Sequence, residues 1–203
     1  DNKNGESDKA GKEFFDTDKD FKIYNFFQFG TRLLRPEPKE RGKAPCMIIF
    51  CSWQQLNEIT DYAKQFGFNH TQPLFFIKKS SSQVLKANMR ICGATETALV
   101  LYRDKLPKFN NGGNMILDWF EWDKSGKYPK IHPTQKPVPV LKRLIEIYTD
   151  PGDVVIDPVA GSGSTLRACA ELNRNCYGFE IKKEFYRAAK EKMLSDVPVC
   201  LNL

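Results

Sequence analysis

The stretch Asp157-Pro158-Val159-Ala160-Gly161-Ser162-Gly163-Ser164-Thr165 constrains this chain more than any other. It directly follows Val154-Val155-Ile156, an apolar run that reads as a buried strand, and directly opens a helical pattern over residues 164–172. Glycines at such a junction let the backbone turn tightly and let a ligand come close to it. The next apolar run, residues 176–181, reads as a strand, with Glu180 near its end, 17 positions after Gly163, and Ile181 beside it. A carboxylate placed there accepts hydrogen bonds from ribose hydroxyls. Strand, glycine loop, helix, strand and acid together predict a site for an adenosine-type cofactor.

The rest of the chain supplies the scaffold. Residues 1–20 are polar and read as a mobile loop. Residues 21–34 space Phe21, Tyr24, Phe27, Phe29, Leu33 and Leu34 roughly as a helix does, and prolines and Gly42 make residues 35–45 a loop. Residues 46–51 are a short continuous apolar run, the pattern of a strand buried on both faces. Residues 53–66 read as a helix ended by Gly67, and residues 74–77 and 95–103 as further strands, with the polar stretch 78–89 between them. Pro137 opens a helix with Val138, Leu141, Leu144, Ile145 and Tyr148 on one face, and residues 183–194 form the last helix. This alternation predicts an α/β fold, Rossmann-like, with a mostly parallel sheet covered by helices on both faces. Residues 21–203 read as a single domain, with residues 104–131 a small irregular insertion.

The loop also narrows the cofactor. The dinucleotide fingerprint fails, because its third glycine position is Leu166, and no Gly-Lys-Ser/Thr follows to make a phosphate loop. No arginine cluster is present to clamp a pyrophosphate; the loop carries Asp157 instead. An acidic mouth suits S-adenosylmethionine, whose sulfonium and ammonium are cationic.

Upstream stands His132-Pro133-Thr134-Gln135-Lys136-Pro137. With the glycine loop it resembles the H-P-T-Q-K-P and D-P-F-x-G-S-G-T pair of S-adenosylmethionine-dependent DNA amino-methyltransferases, acting on N6 of adenine or N4 of cytosine. The loop lies in the C-terminal third, as in the permuted beta class of that family. The resemblance spans about residues 46–194, with its specific motifs in the C-terminal third. It implies that Thr134, Gln135, Lys136 and residues Asp157 through Thr165 line the methionine end of the cofactor, that Glu180 holds the ribose, and that Lys136 pairs with the cofactor carboxylate. Val159 departs from the family's phenylalanine. The family's catalytic [D/S/N]-P-P-[Y/F/W] is absent: no Pro-Pro occurs, Asp150-Pro151 continues with Gly152, and Asp157-Pro158 with Val159. No catalytic residue is assigned in the chain; the family order places the tetrapeptide upstream of Asp1.

The resemblance implies double-stranded DNA as partner and methyl transfer to a flipped base, adenine N6 foremost, with N4-cytosine methylation or a binding-only homologue as alternatives. A net charge of +6 is compatible with a polyanionic partner. Lys78, Lys79, Lys86 and Arg90 flank Ser80-Ser81-Ser82-Gln83, a basic polar loop suited to tracking phosphates. Trp119 and Trp122 read as core residues before DNA wedges. Six cysteines without a C-x-x-C pair, and only two histidines, predict no metal site and a reduced, cytoplasmic protein. No apolar run is long enough for a membrane helix, and a homodimer is left open.

Overall fold

The computed structural model describes residues 21–81, 84–125 and 127–197, without the side chains of Val84, Lys86 and Ala87. The expected loop at residues 1–20 lies outside the described residues. The chain divides into two compact units. One comprises the chain up to Leu34 together with Met47–Asp104 and Asp118–Glu121. The other comprises Arg35–Cys46, Lys105–Leu117 and the chain from Trp122 onward. Among the described residues no helix is long and apolar enough to cross a membrane.

The first unit is built on helix α1 (Ile23–Leu33), strand β1 (Met47–Cys51), helix α2 (Leu56–Gln65), strand β2 (His70–Ile77), a short ribbon of β3 (Val84–Lys86) and β4 (Ile91–Cys92), strand β5 (Thr95–Tyr102) and strand β6 (Trp119–Glu121). The aromatic spacing read from residues 21–34 does form α1, which ends before Pro36, where an α conformation is disfavoured. Phe27 is fully buried, with its ring against Phe66, Tyr62 and Phe68, and joins Ile59, Ala63, Leu99 and Leu101 in one core. Ser52 caps the turn that leads from β1 into α2 through a reciprocal pair with Gln55.

The four-stranded sheet has the order β1-β5-β2-β6. β5 runs antiparallel to both β1 and β2, while β6 runs parallel to β2, so β1, β2 and β6 point one way and β5 the other. The sheet is therefore mixed, a departure from the parallel pairing that the alternation of elements suggests. Its cause is the connection 78–94, which carries the β3–β4 ribbon in place of the crossover helix that parallel neighbours need. An apolar run signals burial but not direction: Ala98, Leu99, Val100 and Leu101 are all buried, on both faces of β5. β2 starts earlier than its apolar run, at His70, and takes in Pro73. Proline is tolerated there because β6 pairs only with Phe75–Ile77, so the flank of β2 at Pro73 carries no ladder with β6.

The second unit holds α3 (Val138–Tyr148), β7 (Val154–Asp157), α4 (Ser164–Glu171), β8 (Asn175–Gly178) and α5 (Lys183–Ala188), which runs on into a π turn at Ala189–Met193. β7 and β8 are parallel, from Val154 opposite Asn175 to Asp157 opposite Gly178, with α4 as their crossover. α3 packs on α4 and buries Val138, Val140, Leu141, Leu144, Ile145 and Ile147, a wider stripe than the one face expected. Polar contacts pin the irregular segments to this frame. Glu171 accepts from Tyr128 Oη (2.9 Å), Lys142 Nζ (3.0 Å) and Arg167 Nε (2.6 Å), and Arg167 also pairs with Asp196. Lys108 pairs with Asp150 and Asp153, and Asn110 donates to Asp150 and to the carbonyl of Thr149.

Candidate cofactor site

The glycine loop is locked before any ligand reaches it. Val159 N–H donates to Asp157 Oδ1 (3.1 Å), Ala160 N–H to the Phe179 carbonyl (2.9 Å), Gly161 N–H to Glu180 Oε2 (2.9 Å) and Gly163 N–H to the Ala160 carbonyl (2.8 Å). Gly161 and Gly163 both take positive φ, 51° and 76°, which lets the chain fold back onto the end of β8 and then enter α4. Gly178 is required for a different reason: a Cβ there would lie 2.6 Å from Leu166 Cδ1 and 3.1 Å from Ala160 Cβ. This is the close helix–strand packing that brings loop and strand together.

The two acids are held differently. Glu180 stands just beyond β8, and its carboxylate accepts from Gly161 N–H and from Lys182 N–H (2.7 Å). Two fixed donors orient it and leave lone pairs for hydroxyls of a ligand. Asp157 ends β7. Burial pushes its carboxyl above the usual range; hydrogen bonds from Thr165 and the Val159 backbone pull the other way, and Glu180 nearby adds to the rise. A buried carboxylate of this kind gains most from a cationic partner.

The segment His132-Pro133-Thr134-Gln135-Lys136-Pro137 forms a turn ahead of α3, and Gln135 holds that turn together. Its Oε1 accepts from Ile131 N–H (2.9 Å), and its Nε2 donates to the Pro129 carbonyl (2.9 Å). Thr134 is exposed, and its N–H donates to His132 Nδ1 (3.2 Å). Lys136 Nζ lies 5.6 Å from the centre of the Trp122 ring. The structure thus brings Thr134, Gln135 and Lys136 into one turn, and joins that turn to the glycine loop through a residue the sequence reading left without a role. The His132 ring carbons lie 3.8–3.9 Å from where a Cβ on Gly161 would stand, and the ring packs edge-on against Phe185, centroids 4.3 Å apart. Its place at the head of the motif was the available signal; Phe185 carried none.

The remaining loop residues face inward or outward. Ser162 and Ser164 are buried and share a hydrogen bond of 2.8 Å, bracing the loop from behind. Ala160, Gly161, Gly163, Glu180, Leu166 and Leu194 help line a hollow of about 20 Å³, space for a water and not for a nucleoside. Pro158 is half-buried, and Val159, Phe179 and Ile181 are exposed and apolar on the rim.

The four cations considered for DNA are placed unequally. Lys78 turns inward, 11% exposed, and pairs with Glu96 at 2.6 Å. Lys79 is exposed and pairs with Glu121 at 3.2 Å. Arg90 is exposed, and the side chain of Lys86 lies outside the description. Trp122 is buried, whereas Trp119 is 43% exposed in β6.

A parallel β-α-β unit with a glycine turn after its first strand and a carboxylate after its second defines the nucleotide-cofactor half of a Rossmann-like α/β fold. Comparison with known proteins names the family. The DNA methylase family profile matches residues 9–191. The chain is 42% identical over 167 residues to the type II methyltransferase M.HindIII of Haemophilus influenzae, covering 76% of this chain and 52% of that protein. It is 28% identical over 142 residues to the DNA adenine methyltransferase YhdJ of Escherichia coli, covering 64% of this chain and 46% of that one. The crystal structure of the M1.HpyAVI–SAM complex aligns with a TM-score of 0.74 and 30% identity over 87% of this chain and 84% of that one. The chain belongs to the DNA methylase family, with the Rossmann-like fold of its permuted class. It spans about half the length of these two curated relatives.

Proposed function

We propose that this chain is the cofactor-binding and DNA-facing part of an enzyme that transfers a methyl group from S-adenosylmethionine to the N6 amino group of adenine in duplex DNA. The observation that carries the reading is the state of the loop donors. In a phosphate-binding loop the backbone N–H groups point at the ligand. Here the N–H groups of Val159 and Gly163 are bonded within the loop, and those of Ala160 and Gly161 to Phe179 and Glu180 beyond β8. The acids at the site are Asp157, buried at the start of the loop, and Glu180, held just beyond β8. That donor set fits a cationic nucleoside and not a pyrophosphate.

S-adenosylmethionine, when bound, supplies an activated methyl group on its sulfonium. The chain's own residues do the positioning. Glu180, oriented by Gly161 and Lys182, accepts the ribose hydroxyls. Asp157 is assigned to the cationic methionine end, with the turn Thr134, Gln135 and Lys136 beside it and Lys136 directed to the carboxylate. Pro158, Ala160, Ser162, Ser164 and Thr165 shape the loop, and Ile181 offers an apolar edge to the base. No residue of the chain is assigned proton transfer. Adenine is favoured by the likeness to YhdJ, whose name specifies that base.

The test is incubation of the chain with labelled S-adenosylmethionine and unmethylated duplex DNA, followed by digestion to nucleosides. Labelled N6-methyladenosine would establish the reaction and the base, and would mean that residues of this chain without an assigned role supply catalysis; bound cofactor without label is expected if catalysis needs the absent tetrapeptide. Labelled N4-methylcytosine nucleoside would move the assignment to cytosine. Bound cofactor without transfer would leave a binding-only homologue.

A further inference from the structure

We propose that the β3–β4 ribbon is a DNA-reading arm, with Asn88, Met89 and Arg90 at its tip entering a groove of the duplex. The inference rests on the DNA methylase reading above and goes beyond it by naming an element that touches the nucleic acid.

Charge points to the partner. Between Asp61 and Glu96 the sequence contains no acidic residue, whereas Lys64, Lys78, Lys79, Lys86 and Arg90 all lie in that interval. Four of those five cations fall within residues 78–90, in a chain whose net charge is only +6. A second acid-free stretch, between Asp123 and Glu146, carries six cations, but the cluster at residues 78–90 is the one that coincides with the ribbon.

Shape points the same way. β3 and β4 pair antiparallel, Val84 with Cys92 and Lys86 with Ile91, with a register shift between them. Such an irregularity strengthens the twist of a ribbon. A two-stranded twisted ribbon is one of the two elements that fit the major groove of B-form DNA. The tip turns through Ala87–Met89 and Arg90. Arg90 takes a left-handed φ of 56°. Glycine or asparagine fills such a position at lower cost, and here the turn presents an exposed arginine.

The side chains fit the role. Asn88 and Arg90 are exposed, and asparagine and arginine are the residues that pair in two-point fashion with adenine and guanine edges. Met89 is 65% exposed and Leu85 54%, with Ile91 also exposed, apolar area that the protein itself leaves uncovered. Apolar side chains at the tip of a basic arm act on DNA as wedges or against thymine methyl groups. Lys78 is not part of this surface, since it is turned inward to Glu96.

The experiment is fluorescence anisotropy of a labelled duplex titrated with the full chain and with Arg90→Ala and Met89→Ala, at several salt concentrations. Calorimetric titration of S-adenosylmethionine runs alongside, with circular dichroism to establish folding. The expected result for Arg90→Ala is a loss of about tenfold in DNA affinity, with cofactor affinity unchanged. Met89→Ala is expected to weaken DNA binding several-fold without moving the salt slope. Wild-type DNA affinity and slope in both variants would overturn the arm. So would a wild-type chain that binds cofactor but no DNA, which would leave the cofactor reading intact. A chain that binds neither would sink the proposed function itself. If Met89→Ala instead dissolves a dimer in sedimentation and leaves DNA binding unchanged, the ribbon is a contact between copies of this chain and the proposal is wrong.

Discussion

The two units solve opposite problems. The unit that carries the glycine loop is tied down by charge: Glu171 gathers Tyr128, Lys142 and Arg167, and Lys108 bridges Asp150 and Asp153. The unit that carries the four-stranded sheet is held by rings and aliphatic side chains around Phe27 and by Phe50, Phe76 and Phe120 in contact across the strands. Its ribbon and the approach to it carry Lys79, Lys86 and Arg90, of which Lys79 and Arg90 are exposed. The difference separates two tasks. A small cofactor needs a few polar atoms held within fractions of an ångström, which requires a braced loop. A polyanion is met by exposed cations on a protruding element, which requires little bracing.

The largest effect expected on this contrast comes from Glu180→Ala. It removes the acceptor of Gly161 and Lys182 and the proposed ribose contact together, and should weaken S-adenosylmethionine by roughly 2–3 kcal/mol, about 30- to 150-fold, in calorimetric titration. DNA affinity should stay at the wild-type value; a parallel fall in both would mean that the two tasks are not separate. Gly178→Ala comes next. Its Cβ would overlap Leu166 and crowd Ala160, and overpacking of this kind costs about 1–3 kcal/mol, read as a lowered melting temperature. An unchanged melt would show that the strand–helix contact yields more easily than the geometry implies.

A smaller effect concerns pH. Burial raises the Asp157 carboxyl above its ordinary range, so in the free protein it protonates at a higher pH than an exposed aspartate. A cationic ligand needs the ionised form. Affinity for S-adenosylmethionine should therefore rise as pH rises through that raised value and fall below it, and Asp157→Asn should flatten the profile. A profile that is the same in wild type and variant would remove Asp157 from the site. The smallest effect is expected at Lys79. Its pair with Glu121 is exposed on both sides, so Lys79→Ala should leave the melting temperature within error.

What the sequence makes legible divides along the same line. The loop and its acid follow from residue types at fixed spacing, whereas the part of the turn before α3 is implied only by the family resemblance. The helices at residues 138–148 and 164–171 follow from periodicity. The antiparallel course of β5 does not, since Ala98 to Leu101 would look alike in either direction. β3, β4 and β6 were hidden because Val84-Leu85-Lys86, Ile91-Cys92 and Trp119-Phe120-Glu121 are too short to show a period. The nearness of His132 to Gly161, 29 positions away in the chain, is not something spacing alone encodes. Gln135 was assigned to the cofactor by resemblance, and the structure adds an intramolecular task, closing the turn on Pro129 and Ile131.

Calorimetric titration of S-adenosylmethionine into the chain and into Glu180→Ala tests the central claim most directly. The account predicts saturable heat with one site in the wild type and its loss in the variant, with both proteins folded by circular dichroism. Absence of heat in the wild type, or equal affinity in the two proteins, would contradict it.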